Sequence, residues 1–190
     1  MRAIEDQIRE CFGRVVYSHK AHEKMSDLLV QRLALIKRTQ IVLSAIITAG
    51  LITTLLGSPD QSKFAAVMAA VISTALLALN TYTKDIDLGR SAEKHKETAV
   101  QLWAVRESYL SLLADMRAGI ASPSDVCSLR DELQIRLECI YSAAPRTVDA
   151  AYKKAGIALK EREEFTFSDA EIDRFLPDVL RRQSEIAKDA

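Results

Sequence analysis

The chain has 190 residues, no net charge at pH 7 and 48% hydrophobic residues. A chain of this length forms one domain, or one domain with an appendage. Acidic and basic residues are interleaved, which excludes a global attraction to nucleic acid, so no nucleic-acid partner is expected. Three scattered cysteines, Cys11, Cys127 and Cys139, exclude a disulfide framework and a cysteine zinc site.

The first segment, residues 2–38, predicts one long helix without a proline. Its small and apolar positions recur at intervals of four and three residues, the spacing of a coiled-coil seam. These positions are Ile4, Ile8, Cys11, Val15, Ser18, His22, Met25 and Leu29. His19 and His22 lie on one side of the helix at a spacing that can bind a metal, but no neighbour completes a site. We therefore interpret His22 as a polar seam residue that sets helix register, and expect no metal.

Two apolar runs, residues 39–59 and 64–83, organise the rest of the chain. Neither contains a charged residue, and each is about 20 residues long, enough to cross the roughly 30 Å hydrocarbon core of a bilayer. The large aliphatic residues of the first run favour insertion by roughly 3–5 kcal/mol. The alternative is a buried hairpin in a soluble bundle, but soluble core helices normally carry a charged stripe. We therefore predict two transmembrane helices joined by a tight turn at residues 60–63.

The second run carries small residues at four-residue intervals, which let membrane helices approach closely. This packing ladder consists of Ala65, Ala66, Ala69, Ala70 and Thr74. The polar side chains within the two runs are the candidates for lining a pore or for helix packing, namely Ser44, Thr48, Ser73 and Asn80. Alternatively, the hydroxyls bond back to their own helices and Asn80 lies at the membrane interface. We expect part of the ladder to pack on the first run and the remainder to meet another copy in a homo-oligomer.

Basic residues flank the hairpin on its two chain ends, with Arg32, Lys37 and Arg38 before it and Lys84, Arg90, Lys94 and Lys96 after it. The turn holds only Lys63, beside Asp60. The positive-inside rule therefore places both termini in the cytoplasm, in a multi-pass topology with a minimal outside loop. The hydrophilic N-terminus lacks a signal-peptide core, so the first apolar run is expected to act as the targeting signal.

Residues 84–119 are predicted to continue the second membrane helix into the cytosol as a return arm that pairs with the first segment. Its seam residues are Leu88, Ala92, His95, Ala99, Leu102, Arg106, Tyr109, Leu113 and Met116. The fold class is thus all-α: a transmembrane hairpin continuous with long antiparallel coiled-coil-like helices, and a small C-terminal helical region. We divide the chain into residues 1–120, the hairpin unit, and residues 121–190, the C-terminal helices of the same unit.

The C-terminal part predicts three shorter helices. Ser122-Pro123 suits a helix start, and the helix that follows should bury Val126, Leu129, Leu133, Leu137 and Ile140. Thr147 is expected to cap a fourth helix that buries Val148, Tyr152, Ala155 and Leu159. Ser168-Asp-Ala-Glu171 is a capping box, and its helix should bury Phe175 and Leu176 before a polar tail.

No phosphate-binding glycine loop, nucleophile elbow, H-E-x-x-H or C-x-x-C motif is present in the sequence. Helix packing already explains the positions of the serines, histidines and cysteines. We therefore expect no enzymatic activity, no catalytic residue and no cofactor.

The organisation resembles the SLATT domain, the two-transmembrane effector domain associated with SMODS nucleotide-synthesising and SLOG nucleotide-sensing proteins. The features that carry the resemblance are the hairpin, the return helix with Trp103, and the block Phe165-Thr-Phe-Ser-Asp-Ala-Glu-Ile-Asp-Arg-Phe-Leu-Pro177. The resemblance covers nearly the whole chain. It implies a bacterial conflict effector that assembles in the inner membrane and breaches it when a partner detects infection. That partner is a nucleotide second-messenger synthase, a reverse transcriptase or another sensor.

Two functions are consistent with these features. In the first, the chain oligomerises and permeabilises the inner membrane, which stops a virus from spreading by killing its host cell. In the second, it is a membrane-anchored coiled-coil scaffold that recruits a sensor without forming a pore. The lipid bilayer is a partner in both.

Overall fold

The computed structural model describes residues 2–84, 86–177 and 181, and all the regular structure in these residues is helical. The helices are α1 (Arg2–Leu56), α2 (Pro59–Lys84), α3 (Leu88–Ala118), α4 (Pro123–Ala143), α5 (Asp149–Lys160) and α6 (Asp169–Phe175). α1 packs against α2, α3 and α5, and α3 packs against α4. The all-α prediction is confirmed, while the division after residue 120 stays a prediction.

α1 is a single helix of 55 residues, roughly 80 Å long at 1.5 Å per residue. Its first part is the charged segment and its last part is the first apolar run. The predicted continuity of these two segments is therefore confirmed. The charged segment thus continues into the apolar run as one helix, without a loop between them.

The tight turn of the hairpin lies earlier than predicted. α1 ends at Leu56, Gly57 and Ser58 make the turn, and α2 begins at Pro59, so residues 60–63 form the first turn of α2. Proline suits the first helical position, because its missing N–H would have no partner there. A Cβ on Gly57 would lie 2.5 Å from the carbonyl oxygen of Thr53, so only glycine fits at the end of α1.

The return arm starts as a new helix instead of continuing α2. α2 ends at Lys84 and α3 begins at Leu88. The Asp87 carboxylate accepts a hydrogen bond of 2.8 Å from the backbone N–H of Arg90 and caps α3. The cap satisfies a backbone N–H that the break between the helices would otherwise leave without a partner. The predicted uninterrupted helix is wrong at this point.

The core of the helical bundle lies where α1, α3 and α4 meet. Its buried residues are Ile8, Val15, Leu102, Val105, Tyr109, Leu112, Val126, Leu133 and Ile140. The predicted seams of the two arms, residues 2–38 and residues 84–119, both contribute to this core. Leu129 and Leu137 of α4 pack on it while partly exposed. The two arms therefore pair through an apolar core far from the hairpin.

The C-terminal helices match the prediction in part. Ser122 caps α4, with Pro123 in its first turn, as predicted. α5 is instead preceded by Val148, which makes no side-chain cap bond, so the predicted cap by Thr147 is wrong. α5 buries Ala151, Ala155 and Ala158, whereas Tyr152 is exposed. Small side chains let α5 approach α1 closely, which explains why alanines and not the larger residues face inward.

α6 has the predicted capping box between Ser168 and Glu171. It has no buried residue, and Phe175 is 81% exposed, so the prediction that this helix buries Phe175 and Leu176 is wrong. Seven residues make only about two turns, too few to cover a face against the bundle. The predicted polar tail lies outside the described residues, apart from residue 181.

Candidate functional site

The apolar surface of the hairpin faces outward. Two 18-residue helical stretches, one within Arg2–Leu56 and one within Pro59–Ala118, are long and apolar enough to cross a membrane. None of the first stretch and 11% of the second is buried. A core helix of a soluble protein would bury most of such a stretch. Ile41, Leu55 and Phe64 are among the exposed large side chains, so the hairpin offers a continuous apolar surface to its surroundings.

One part of the small-residue ladder forms the contact between α1 and α2. Ala65 and Ala69 are buried. They lie against Gly50 of α1, where a Cβ would be 3.3 Å from the Cβ of Ala69 and 3.5 Å from the carbonyl oxygen of Ala65. Gly50 and the two alanines thus let the helix backbones approach closely, as small residues do between membrane helices.

The other part of the ladder has no such role within the chain. Ala66, Ala70 and Thr74 are exposed, and the Thr74 hydroxyl donates to the Ala70 carbonyl 2.9 Å away in the same helix. The structure therefore separates the predicted ladder into an inward pair and an outward row. Ala66, Ala70 and Thr74 are called the outward row below.

The four polar residues predicted to line a pore or pack helices are exposed on the hairpin. Ser44 and Thr48 donate hydrogen bonds to carbonyls four residues earlier, at 2.8 and 3.0 Å. The Asn80 side-chain oxygen accepts a hydrogen bond of 2.8 Å from Gln40 and so joins α2 to α1. Ser73 lies on an exposed face of α2. The structure does not gather these four side chains into one site within a single chain.

A buried histidine pair joins the two arms between the apolar core and the hairpin. The Nδ1 atoms of His22 and His95 are 3.0 Å apart, and both side chains are buried. Since one nitrogen must donate and the other accept, the pair is complete when both rings are neutral. Burial, with His95 and His19 nearby, lowers the pKa of His22 to about 4, and burial lowers the pKa of His95.

The sequence predicted the seam positions of His22 and His95 but not their contact. His22 and His95 were both placed on seams, but their pairing depends on the register between the arms, which the sequence does not reveal. Within residues 2–84, 86–177 and 181, no three histidine, cysteine, aspartate or glutamate side chains come together as a metal site. Of His19 and His22, the two histidines at this spacing, His22 contacts His95 of the other arm.

A second polar cluster lies beside the pair, where the chain returns after α5. Glu164 forms ion pairs with Lys20 at 2.6 Å and with Lys24 at 3.2 Å. The Phe165 ring stacks on His19 with centroids 5.4 Å apart. It also lies 4.4 Å from Lys20 Nζ and 4.6 Å from Arg106 Cζ. Glu164 and Phe165, called the clasp below, thereby bind α1 and α3 together.

Charge is buried in this cluster, which sequence reasoning missed. Lys20 has a side chain only 8% exposed, although it is not one of the predicted seam residues. Its burial is offset by hydrogen bonds from Lys20 to Glu164 and Glu23, which raise the pKa of Lys20 overall. Bonds from Lys20 and Lys24 lower the pKa of Glu164 despite partial burial. No local pattern around Glu164 and Phe165 signals that they reach α1.

The clasp lies at one end of a groove between α1 and α3. The groove has a volume of 660 Å³, and its lining includes Asp27, Lys96, Trp103 and Arg106. This volume is in the range of small-molecule sites. Both apolar and charged groups line it, so it suits a ligand that has an ionic group.

The sequence model of SMODS and SLOG-associating 2TM effector domain family 4 matches residues 4–171. The match extends over both arms, the hairpin, α4, α5 and the start of α6. Comparison with curated proteins and comparison with solved structures gave no match.

Proposed function

The chain belongs to SMODS and SLOG-associating 2TM effector domain family 4, and on this premise we propose that it oligomerises in the bacterial inner membrane and permeabilises it during infection. Its hairpin supplies the two transmembrane helices. The lethal leak would stop a virus from spreading to neighbouring cells. The activity needs no catalysis, because a breach of the bilayer is itself the effect.

The outward row is the observation that supports assembly. Two helices cannot enclose a pore, so permeabilisation requires several copies. Ala65 and Ala69 are used within the hairpin, whereas Ala66, Ala70 and Thr74 are exposed at the same four-residue interval. In lipid, helices associate through close packing of small residues. The outward row therefore provides a surface on which the α2 helix of one copy can meet a second copy.

Ser44 and Thr48 are the polar groups most suited to a pore wall. Each already donates to its own helix, which leaves the oxygen free to accept a hydrogen bond from water. Ser73 adds a hydroxyl on α2. Asn80 is bonded to Gln40, so it acts as a link within the hairpin, at the cytoplasmic end of the proposed topology.

In the proposed topology both termini are cytoplasmic. The basic residues before and after the hairpin support it. The arms then lie where a sensor can reach them. A nucleotide second-messenger synthase or a reverse transcriptase encoded with the protein would supply the signal.

Dye leakage from liposomes tests the proposal. We expect the full chain to release the dye and Ala70→Leu, in the outward row, to reduce release at least tenfold. Ala75→Leu is the matched control, since Ala75 is also exposed but lies roughly 140° around the helix from Ala70. Equal leakage by the two variants would contradict assembly through this row, and tight liposomes in every condition would contradict permeabilisation.

The alternative is a membrane-anchored scaffold. The observation that favours it is the cytosolic bundle, whose core is formed by α1, α3 and α4 without any residue of the hairpin. Replacing residues 39–84 with an unrelated two-helix anchor separates the two functions. Toxicity in cells should survive this exchange if the chain is a scaffold and vanish if it permeabilises the membrane.

A further inference from the structure

The clasp covers polar groups that have no partner. His19 Nδ1 and Arg106 Nη1 are both buried without a hydrogen bond, and both residues line the groove. The His19 side chain is only 6% exposed. The ring of Phe165 lies against both residues, but a ring face satisfies neither nitrogen as a hydrogen bond would. A buried polar group left without a hydrogen bond is unfavourable, because it has lost its contacts with water and gained none in return.

The same clasp places an anion on the cations of the site. Lys20 and Lys24 are paired with the Glu164 carboxylate. With Arg106 and His19, they form a cluster of nitrogen groups from α1 and α3. Such a cluster suits an oxyanion with several oxygens, because arginine and lysine both bind phosphate. Two further carboxylates contact the cluster: Glu23 pairs with Lys20 at 2.8 Å and lies 3.6 Å from His19 Nε2, and Glu107 accepts from Arg106 Nε and Nη2 at 2.9 and 2.6 Å. These carboxylates leave His19 Nδ1 and Arg106 Nη1 without a hydrogen bond, and those two nitrogens are the ones open to a ligand.

The backbone next to the clasp is strained. Glu163 has a φ of 50°, in the left-handed region, which is unfavourable for a residue with a Cβ. α6, which follows the clasp, has no buried residue. The clasp is therefore held at a local cost, and the helix beyond it adds no fully buried residue that would hold the clasp in place.

From these observations we propose that His19, Lys20, Lys24 and Arg106 form a binding site for a soluble phosphate-bearing ligand, which displaces Glu164 and Phe165. The phosphate oxygens replace the Glu164 carboxylate on the lysines and accept from Arg106, and His19 donates to them once Phe165 has left. The clasp is the closed state of the site. Its release removes a contact that joins α1 to α3.

The position of the site favours a soluble ligand over a lipid headgroup. Lys20 precedes the start of the first apolar run, at residue 39, by 19 residues, which is roughly 28 Å along α1. Headgroups extend only a few ångströms beyond the hydrocarbon core. Control of the membrane assembly by this ligand rests on the proposed function, whereas binding itself does not.

Fluorescence of the full chain in detergent micelles tests the site. Trp103 is the single tryptophan and lines the groove. We expect inorganic phosphate to change its emission saturably at constant ionic strength. Arg106→Gln should weaken binding at least tenfold, while Arg117→Gln, an exposed arginine of the same helix, should leave it unchanged. Equal affinities for the two variants, or no saturable change in the unmodified chain, would overturn the proposal.

Removing the clasp gives the opposite expectation. Phe165→Ala should bind phosphate about tenfold more tightly, because the ligand no longer competes with the ring for an occupied site. Phe165→Leu keeps an apolar side chain there, so its affinity for phosphate should lie between those of the unmodified chain and Phe165→Ala. Unchanged affinity in both variants would show that the clasp is not displaced.

A final arm separates the two sources of phosphate. The micelles are replaced by phosphatidylcholine vesicles with or without phosphatidylglycerol, and no free phosphate is added. We expect the same Trp103 emission in both. A change with phosphatidylglycerol, together with no response to inorganic phosphate, would overturn the assignment to a soluble ligand. Trp103 fluorescence does not depend on dye leakage. Failure of the liposome-leakage test would therefore contradict the proposed function without affecting this binding site.

Discussion

The two parts of α1 reverse the relation between polarity and burial. In residues 2–38 the helix is rich in charge, and the apolar residues Ile8, Val15 and Ala21 are buried. In residues 39–56 it has no charge, and its apolar residues are exposed, Leu51 by 54% and Leu55 by 82%. The helix geometry is the same in both parts. What differs is the medium they are built to contact: water for the first part and lipid for the second.

Truncating a buried residue of the core between α1, α3 and α4 should have the largest effect on stability. Leu102 is fully buried, so Leu102→Ala should lower the free energy of unfolding by roughly 2–5 kcal/mol through lost contacts and a cavity. Leu55→Ala, at an exposed position of the membrane part, should change it by less than about 1 kcal/mol. Thermal unfolding in detergent, followed by Trp103 fluorescence, measures both. Equal losses would mean that Leu55 packs in a protein core.

A charge should separate the two parts next. Leu51→Arg places a guanidinium at the centre of the first apolar run, which costs roughly 3 kcal/mol of insertion. We expect the variant to be lost from the alkali-resistant membrane fraction of cells. Ile120→Arg is the control, because Ile120 is 77% exposed just after the end of α3 and should tolerate the charge. Full membrane retention of Leu51→Arg would contradict a lipid-facing hairpin.

The histidine pair between α1 and α3 makes the stability of the fold depend on pH. The folded pKa of His22 is about 4, below its ordinary 6.5, so the unfolded chain binds more protons between these values. Stability is full above pH 6.5 and falls as the pH drops towards 4, by about 2 kcal/mol at pH 5 from this residue. His22→Leu should flatten the dependence of the melting temperature on pH between 7 and 5. An unchanged slope in this variant would exclude the pair as its source.

The smallest effect concerns close packing of α5 on α1. A Cβ on Gly156 would lie 2.6 Å from the hydroxyl of Tyr17, so Gly156→Ala alone gains helix propensity but forces Tyr17 to move. With Tyr17→Phe the obstacle is gone, and adding Gly156→Ala should stabilise the protein by about 1 kcal/mol. A double-mutant cycle by thermal unfolding measures this coupling. Additive changes would show that the hydroxyl does not occupy that space.

Much of the fold follows from local patterns. The seam spacing predicted which residues of each arm turn inward, and Leu102, Tyr109 and Val15 are buried as a result. The capping box of α6 and the start of α4 follow from short-range hydrogen bonds, so they too were predictable. Wrong expectations arose where a local signal competed with packing. Tyr152 looked like a buried residue of α5, but the alanines of that helix are the residues buried against α1, and Tyr152 contacts the Tyr17 ring from an exposed position.

The candidate sites were less predictable. The ladder in α2 was visible, but its division into Ala65 and Ala69 inside and Ala66, Ala70 and Thr74 outside depends on how α2 is rotated against Gly50. The clasp was not visible at all. Glu164 and Lys20 are far apart along the chain, and their ion pair depends on the path of the chain after α5.

The sequence by itself determined the helices and the uncharged length that spans a bilayer, because each depends on residues within a few turns of one another. The tertiary structure alone decided which residues meet across the arms: His22 with His95, and the clasp with His19, Lys20, Lys24 and Arg106. Those meetings depend on the register of two long helices and the return of the C-terminal chain, and no short stretch of sequence encodes either.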